Sequence, residues 1–212
     1  MSHKDAEQHW SGRYAAAGDD YLFGTAPNKF LARQAARLTP GMSALSVADG
    51  EGRNSVWLAE EGLAVTALEL SPVALHKAKR LAVERQVEVD FVQANVLEWA
   101  WPEASYDVIA AIFIQFASPA ERPILFGLMT RALKPGGLLL LHGYTPKQLE
   151  YRTGGPSTLE NLYTAALLSE AFADMEILEL REHEDQLEEG SGGHRGHWGR
   201  SALIDLVARK PL

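Results

Sequence analysis

The stretch Ala44-Leu45-Ser46-Val47-Ala48-Asp49-Gly50-Glu51-Gly52-Arg53-Asn54 carries an apolar segment into a glycine turn, which opens directly into a helical pattern from Ser55 to Glu61. A buried strand, a tight turn and a helix N-terminus in that order are the parts of a nucleotide-cofactor loop. The strand-like Ala64-Val65-Thr66-Ala67-Leu68 follows and ends on Glu69. That position, roughly 20 residues past the turn, suits a carboxylate that accepts both ribose hydroxyl protons. Gly50 and Gly52 are expected to let the backbone approach the ligand with no Cβ in the way. Either signal alone has a plainer reading, tight packing for the glycines and a helix cap for the acid; the two at this spacing favour the cofactor. Ala48 stands where a full dinucleotide fingerprint has its first glycine, and no phosphate-loop lysine follows, so NAD and ATP are both disfavoured.

Working outward, strand and helix patterns alternate. Pro72 to Gln86 reads as a helix capped by Ser71, and Val87 to Val92 as a strand ending at Gln93-Ala94-Asn95. Tyr106 to Phe113 is a strongly apolar strand. Pro119 to Leu133 reads as a helix stopped by Lys134-Pro135-Gly136-Gly137, whose turn delivers a strand from Leu138 to His142. A helix around Leu159 to Phe172 and strands at Met175 to His183 and Ser201 to Ala208 complete the pattern, with no internal repeat. The alternation predicts an α/β fold with a mostly parallel sheet and helices on both faces. A single domain over 1–212 is expected, with a helical N-terminal cover at 1–40, a cofactor-binding half at 41–143, and a lid loop, helix and C-terminal strand pair at 144–212.

Composition narrows the classes. The 212 residues are 46% hydrophobic, enough for one sizeable core, and no apolar run is long enough to cross a bilayer. Met1 to Gln8 is short and polar, unlike a signal peptide, so a cytoplasmic protein is expected. Against 28 acids stand 20 Lys and Arg, and the net charge of -8 disfavours a nucleic-acid partner, which wants a basic face. The absence of cysteine excludes disulfides, a thiol nucleophile and thiolate metal ligands.

Glu51-Gly52-Arg53-Asn54, the strand end from Val65 to Ser71, and Leu133-Lys134-Pro135-Gly136-Gly137 together resemble the class I S-adenosylmethionine-dependent methyltransferases. Trp10-Ser11-Gly12-Arg13-Tyr14 and Phe23-Gly24-Thr25-Ala26-Pro27-Asn28 look most like the tellurite-resistance and thiopurine methyltransferase-like branch. The resemblance spans nearly the whole chain. It implies a Rossmann-like seven-stranded sheet with an antiparallel C-terminal edge, S-adenosylmethionine as cofactor, and methyl transfer to a small-molecule acceptor by a monomer or homodimer. Ser46 and Ala48 depart from the family's acid and first glycine at the methionine end of the cofactor.

Ligands of open α/β sheets lie beyond the carboxyl ends of the strands. The resemblance there implies a cofactor site of Tyr14, Phe23, Ala48, Gly50, Gly52, Asn54, Glu69, Leu70, Asn95, Val96 and Ile112. In it Glu69 takes the ribose hydroxyls, Leu70 packs on adenine, and Asn95 with the Val96 backbone reads the adenine edge. Asn95 replaces a more usual Asp and has a second reading, that it merely closes a turn. Trp10, Arg13, Tyr14, Tyr21 and Phe23 read either as an aromatic cover that excludes water or as ordinary core packing. The loop 143–156 reads equally as a substrate lid, with Tyr151 and Arg152 as contacts and Gly154-Gly155 as joint, or as a connector in which Ser157 or Thr158 caps the next helix.

Gln115 follows the fourth strand, where acceptor-orienting groups are sometimes placed. His194 and His197 lie in a glycine-rich connection and read as a wall for a small anionic substrate or as solvated loop. With His183 and Asp185 they lack the rigid frame of a zinc motif, and no metal is expected. No base motif follows the fourth strand, which fits a soft nucleophile such as a thiol, selenium or tellurium species that needs little proton removal. His142 is the alternative base. The competing function is a cofactor-binding protein with little or no turnover.

Overall fold

A computed structural model of the chain describes residues 3–187 and 199–212. Its sheet has seven strands: β1 (Ser43–Val47), β2 (Ala64–Glu69), β3 (Asp90–Gln93), β4 (Tyr106–Ile112), β5 (Leu133–Tyr144), β6 (Glu176–Leu187) and β7 (Gly199–Arg209), in the order β3-β2-β1-β4-β5-β7-β6. β1, β2 and β3 run parallel, as do β4 and β5, whereas β7 lies antiparallel to both β5 and β6. The expected architecture is therefore the observed one. Among the described residues no helix is long and apolar enough to cross a membrane.

The described residues group into two compact units, one running to Trp99 and the other beginning at Ala100. The first holds β1 to β3 with α1 (His3–Ala16), α2 (Lys29–Ala32), α3 (Arg53–Glu60) and α4 (Pro72–Arg85). Most residues of β1 and β2 are buried, the pattern of strands covered on both faces. The start of α4 is fixed by local chemistry. The Ser71 hydroxyl accepts the Ala74 N–H, Pro72 supplies a preset φ in the first turn, and Gln86 ends the helix in a left-handed conformation. Tyr14, Ala17 and Leu22 pack with Ala74 of α4 to hold α1 in place.

The second unit holds β4 to β7 with α5 (Arg122–Ala132), α6 (Gln148–Tyr151) and α7 (Ala165–Ala171). Phe126 of α5 packs against Phe172 and Tyr163, with ring centroids 4.8 and 5.9 Å apart. Two expectations are corrected here. The turn read at Lys134 to Gly137 lies inside β5: pairing passes from Tyr106↔Leu133 to Val108↔Leu138, so five residues of β5 advance against two of β4 as a bulge. Lys134 is tied there to Asp107 at 2.7 Å, and the Gly136 N–H to the Lys210 carbonyl at 2.9 Å. The helix read over 159–172 is split into a short 3-10 turn, Leu159–Asn161, and α7. The cap of α7 is Thr164, whose hydroxyl accepts the Leu167 N–H; Thr158 makes no side-chain cap.

Candidate functional site

Glu69 ends β2, and its carboxylate is almost fully buried. One oxygen accepts the Gly50 N–H at 2.8 Å and the other the Ser71 N–H at 2.8 Å. These bonds fix the acid between the glycine turn and the start of α4. They leave lone pairs on both oxygens, since each carboxylate oxygen has about two acceptor sites. Burial raises the Glu69 pKa to about 7, and the two backbone donors only partly offset this. Asp49 sits beside it, equally buried, and burial raises its carboxyl as well. Its Oδ1 accepts the Ser46 hydroxyl at 2.6 Å and the Ser55 N–H at 3.1 Å, and its Oδ2 accepts the Ser55 hydroxyl. The acid missing from position 46 is thus present three residues later, held against the residue that replaced it.

The glycines are explained by what surrounds them. A Cβ on Gly52, where φ is +91°, would lie 2.8 Å from the Ala78 Cβ and 2.9 Å from its Cα. Gly52 is therefore demanded by close packing of the turn on α4 rather than by ligand approach. A Cβ on Gly50 would lie 2.9 Å from the Tyr14 hydroxyl, which places that phenol directly over the turn. Burial, with Glu69 next in importance, pushes the Tyr14 pKa well above its ordinary value and keeps the phenol neutral. Ala48 adopts a left-handed φ of 51°, the conformation that glycine would take without strain.

The N-terminal segment is fastened to this turn by a buried cation that the sequence reading missed. Lys77 of α4 donates to the Glu51 carboxylate at 2.9 Å, to the Tyr14 carbonyl at 2.8 Å and to the Asp20 carbonyl at 2.7 Å. Glu51 accepts the Leu22 N–H on its other oxygen at 2.7 Å. Glu51 and Lys77 are separated by 26 positions, so only the fold brings them together. Tyr14 stacks on Trp10 and meets Phe23 edge-on, with centroids 5.9 and 6.4 Å apart. Arg13 and Arg53 each lie 5.9 Å from the Phe23 ring. Tyr21 is buried against Val56, Leu81 and Ala82, in keeping with core packing.

Several candidate residues are engaged by the scaffold. The Asn54 side-chain oxygen accepts the Asn28 N–H at 3.0 Å, which orients the cap of α2. The Asn95 oxygen accepts the Leu97 N–H at 3.1 Å, so the turn-closing reading describes that atom. Leu70 is half-buried and Val96 is buried.

In the second unit Ile112 ends β4 and is buried. The Gln115 amide donates to the Tyr144 and Asn161 carbonyls and accepts the Tyr144 N–H, so it braces the chain. Tyr151 lies between Lys147 and Arg200, and Gln148 ties the loop to the Ala202 N–H at 2.9 Å. Thr153 donates to the Arg200 carbonyl at 2.7 Å, and a Cβ on Gly155 would meet the Tyr144 ring at 2.7 Å. These contacts favour the connector over the lid, with Gly155 a packing residue rather than a joint; Arg152 is exposed. His194 and His197 lie outside the described residues.

Comparison with known proteins bears on this arrangement. A demethylmenaquinone methyltransferase of Thermus thermophilus is 31% identical over 104 residues, 48% of this chain and 47% of that protein. The chain thus spans about half the length of the curated relatives it matches. A solved structure concerned with conversion of a disulfide bond into a thioacetal group during echinomycin biosynthesis has a TM-score of 0.77 at 19% identity, covering 97% of this chain and 91% of that one. The N-methyltransferase NodS of Bradyrhizobium japonicum, in complex with S-adenosyl-L-homocysteine, has a TM-score of 0.71 at 15% identity, covering 97% and 98%. At these identities the solved structures establish the fold. Residues 44–137, from β1 into β5, match the family described as methyltransferase domain.

Proposed function

We propose that the chain binds S-adenosylmethionine against the turn 48–54 and transfers its methyl group to a small-molecule acceptor. The observation that carries this reading is Glu69: a buried carboxylate at the end of β2, oriented by two backbone N–H groups and retaining acceptor capacity for a ribose diol. The bound cofactor would supply an electrophilic methyl on a sulfonium sulfur. Glu69 would hold the ribose, and Asp49 returns a carboxylate to the turn despite Ser46. Tyr14, kept neutral over Gly50, and the partly buried Trp10 and Phe23 beside it provide aromatic surface that excludes water. A drier pocket favours a displacement in which charge is dispersed.

The acceptor class we infer is a soft nucleophile, a thiol, selenium or tellurium species. Its lone pair forms the new bond to carbon as the sulfonium bond breaks and sulfur takes the electron pair. Such an acceptor is ionised or weakly basic already, so positioning supplies much of the rate. The N-terminal motifs support the tellurite-resistance and thiopurine branch, and one structural relative is associated with chemistry at sulfur.

Titration calorimetry of S-adenosylhomocysteine into wild type and Glu69→Ala tests the cofactor reading. Each charge-assisted hydrogen bond lost is worth about 1.5 to 3 kcal/mol before water compensates, so the variant should bind at least about tenfold more weakly. No binding by folded wild type would end the enzyme reading. Binding with no methyl transfer to thiols or chalcogen oxyanions would favour a cofactor-binding protein without turnover.

A further inference from the structure

The second unit holds a cluster that the proposed base-free methyl transfer does not require. His142 near the end of β5 faces Asp205 of β7 as its register partner, and His183 lies on β6, which pairs with β7. One ligand atom from each lies within 4.8 Å of the others. His142 Nδ1 is 2.7 Å from Asp205 Oδ1, and His183 Nε2 is 3.0 Å from Asp205 Oδ2. His142 and Asp205 are buried.

The geometry at His183 separates two descriptions of the cluster. In an ion-paired network each imidazole N–H points at its carboxylate oxygen. His142 meets that description through its hydrogen bond to Asp205 Oδ1, whereas the buried His183 Nε2 atom lies 3.0 Å from Asp205 Oδ2 without hydrogen-bond alignment. Atoms at that separation that do not point at one another are arranged like co-ligands, which converge on a third point between them. A tetrahedral site with bonds of about 2.0 to 2.2 Å sets its ligand atoms about 3.3 to 3.6 Å apart, so an ion would widen the two short spacings and hold all three atoms well inside their present 4.8 Å limit.

The donor set points the same way. Two imidazoles and one carboxylate suit zinc and its neighbours among the divalent transition metals, and do not suit magnesium or calcium, which take oxygen. Strand pairing supplies a rigid frame for all three residues. Arg181 donates to Asp205 Oδ2 at 3.3 Å and would orient the carboxylate from outside the ligand set.

We propose that His142, His183 and Asp205 form a binding site for one divalent transition-metal ion of the zinc type. Three protein ligands leave a further coordination position for water or an added anion.

The test is titration of chelator-treated full chain with Co²⁺, read by its visible absorption, and with Zn²⁺ by calorimetry. One equivalent per chain with a tetrahedral cobalt spectrum is expected, together with a metal-dependent rise in Tm. His183→Ala, verified as folded by circular dichroism, should weaken binding more than tenfold. His183→Gln serves the same purpose should the alanine variant unfold. Absence of binding by folded wild type, or affinity unchanged in a folded His183 variant, would reduce the cluster to an ion-paired network. Loss of binding in His194→Ala with His197→Ala but not in the His183 variants would likewise overturn the assignment. These readouts need no S-adenosylmethionine, so they stand apart from the proposed function.

Discussion

Glu69 in the first unit and Asp205 in the second are both buried carboxylates on strands, and their acidities are opposite. Glu69 of the first unit is met by the Gly50 and Ser71 N–H groups, and burial prevails over these neutral donors to raise its pKa to about 7. Burial works on Asp205 of the second unit in the same direction, but the imidazoles of His142 and His183 outweigh it and lower the pKa to about 2. What decides the sign is the partners, side-chain imidazoles hydrogen-bonded to Asp205 against backbone N–H groups on Glu69, since burial opposes ionisation in both. A carboxylate held by neutral donors stays poised near neutral pH and responsive to a ligand. One held by imidazole and guanidinium side chains stays ionised and serves as anchor or metal ligand.

The sharpest way to break this contrast is to neutralise each acid by an amide. Asp205→Asn in metal-free protein leaves the imidazoles and Arg181 around an uncharged group. Removing one partner of a buried pair costs about 3 to 5 kcal/mol. Glu69→Gln turns an amide N–H donor toward a backbone N–H donor and should cost about 1 to 3 kcal/mol. Denaturant unfolding at neutral pH measures both. A smaller loss for Asp205→Asn than for Glu69→Gln would show that the imidazoles and Arg181 are not what holds Asp205.

The glycine turn that frames Glu69 offers the next test. Gly52→Ala puts a Cβ within 2.9 Å of the Ala78 Cα at a φ of +91°, and overpacking with left-handed strain should cost about 3 kcal/mol in the same unfolding experiment. Gly50→Ala meets only the Tyr14 hydroxyl, so adding Tyr14→Phe should restore part of its loss. No side-chain truncation should rescue Gly52→Ala. Equal rescue of both would mean that α4 yields to the turn.

This contrast also measures what the sequence carried. β1, the turn, α3, β2 and Glu69 were legible because local pattern and spacing specify them: an apolar run, paired glycines and an acid at a fixed interval. The register of the C-terminal strands was not, because it is set by pairing between β5, β7 and β6. His142 and Asp205 become neighbours only through that pairing, 63 positions apart. Glu51 and Lys77 stayed hidden for the same reason, since a charged residue on a helix reads as solvated until the fold buries it. Lys134 to Gly137 misled because Pro and Gly mark both turns and bulges, and only the partner strand distinguishes them. Gln115 was a candidate ligand contact from its position after a strand, and Asn95 either that or a turn closer; backbone groups engage the Gln115 amide and the Asn95 oxygen.

Proton linkage sharpens the comparison further. Glu69 holds its proton more tightly folded than unfolded, its pKa rising from 4.5 to about 7. Its contribution to stability is therefore full below pH 4.5 and is lost as pH rises through about 7. Asp205 does the reverse: its contribution is full above pH 3.8 and is lost as pH falls through about 2. Ribose hydroxyls favour the ionised Glu69, so affinity for S-adenosylhomocysteine should rise about tenfold per pH unit up to about 7 and level off above it. The protein should release a proton on binding at pH 6, visible as a dependence of the calorimetric heat on buffer ionisation enthalpy. Affinity flat between pH 5.5 and 8 would remove Glu69 from the ribose.

The smallest expected effect lies next to the first carboxylate. Ala48 is held at a φ of 51°, where an alanine costs about 1 to 2 kcal/mol relative to its right-handed conformation. Ala48→Gly relieves that strain but loosens the unfolded chain by about 0.4 to 1 kcal/mol, so the net gain should be under about 1 kcal/mol. Because Gly50 and Ser71, not Ala48, donate to Glu69, the pH at which S-adenosylhomocysteine affinity levels off should stay where it is. A gain in stability with that pH unmoved would separate backbone strain from the electrostatics of the acid. A shift in it would mean that the strained residue sets how firmly Gly50 is presented to Glu69, making the left-handed alanine part of what tunes the carboxylate.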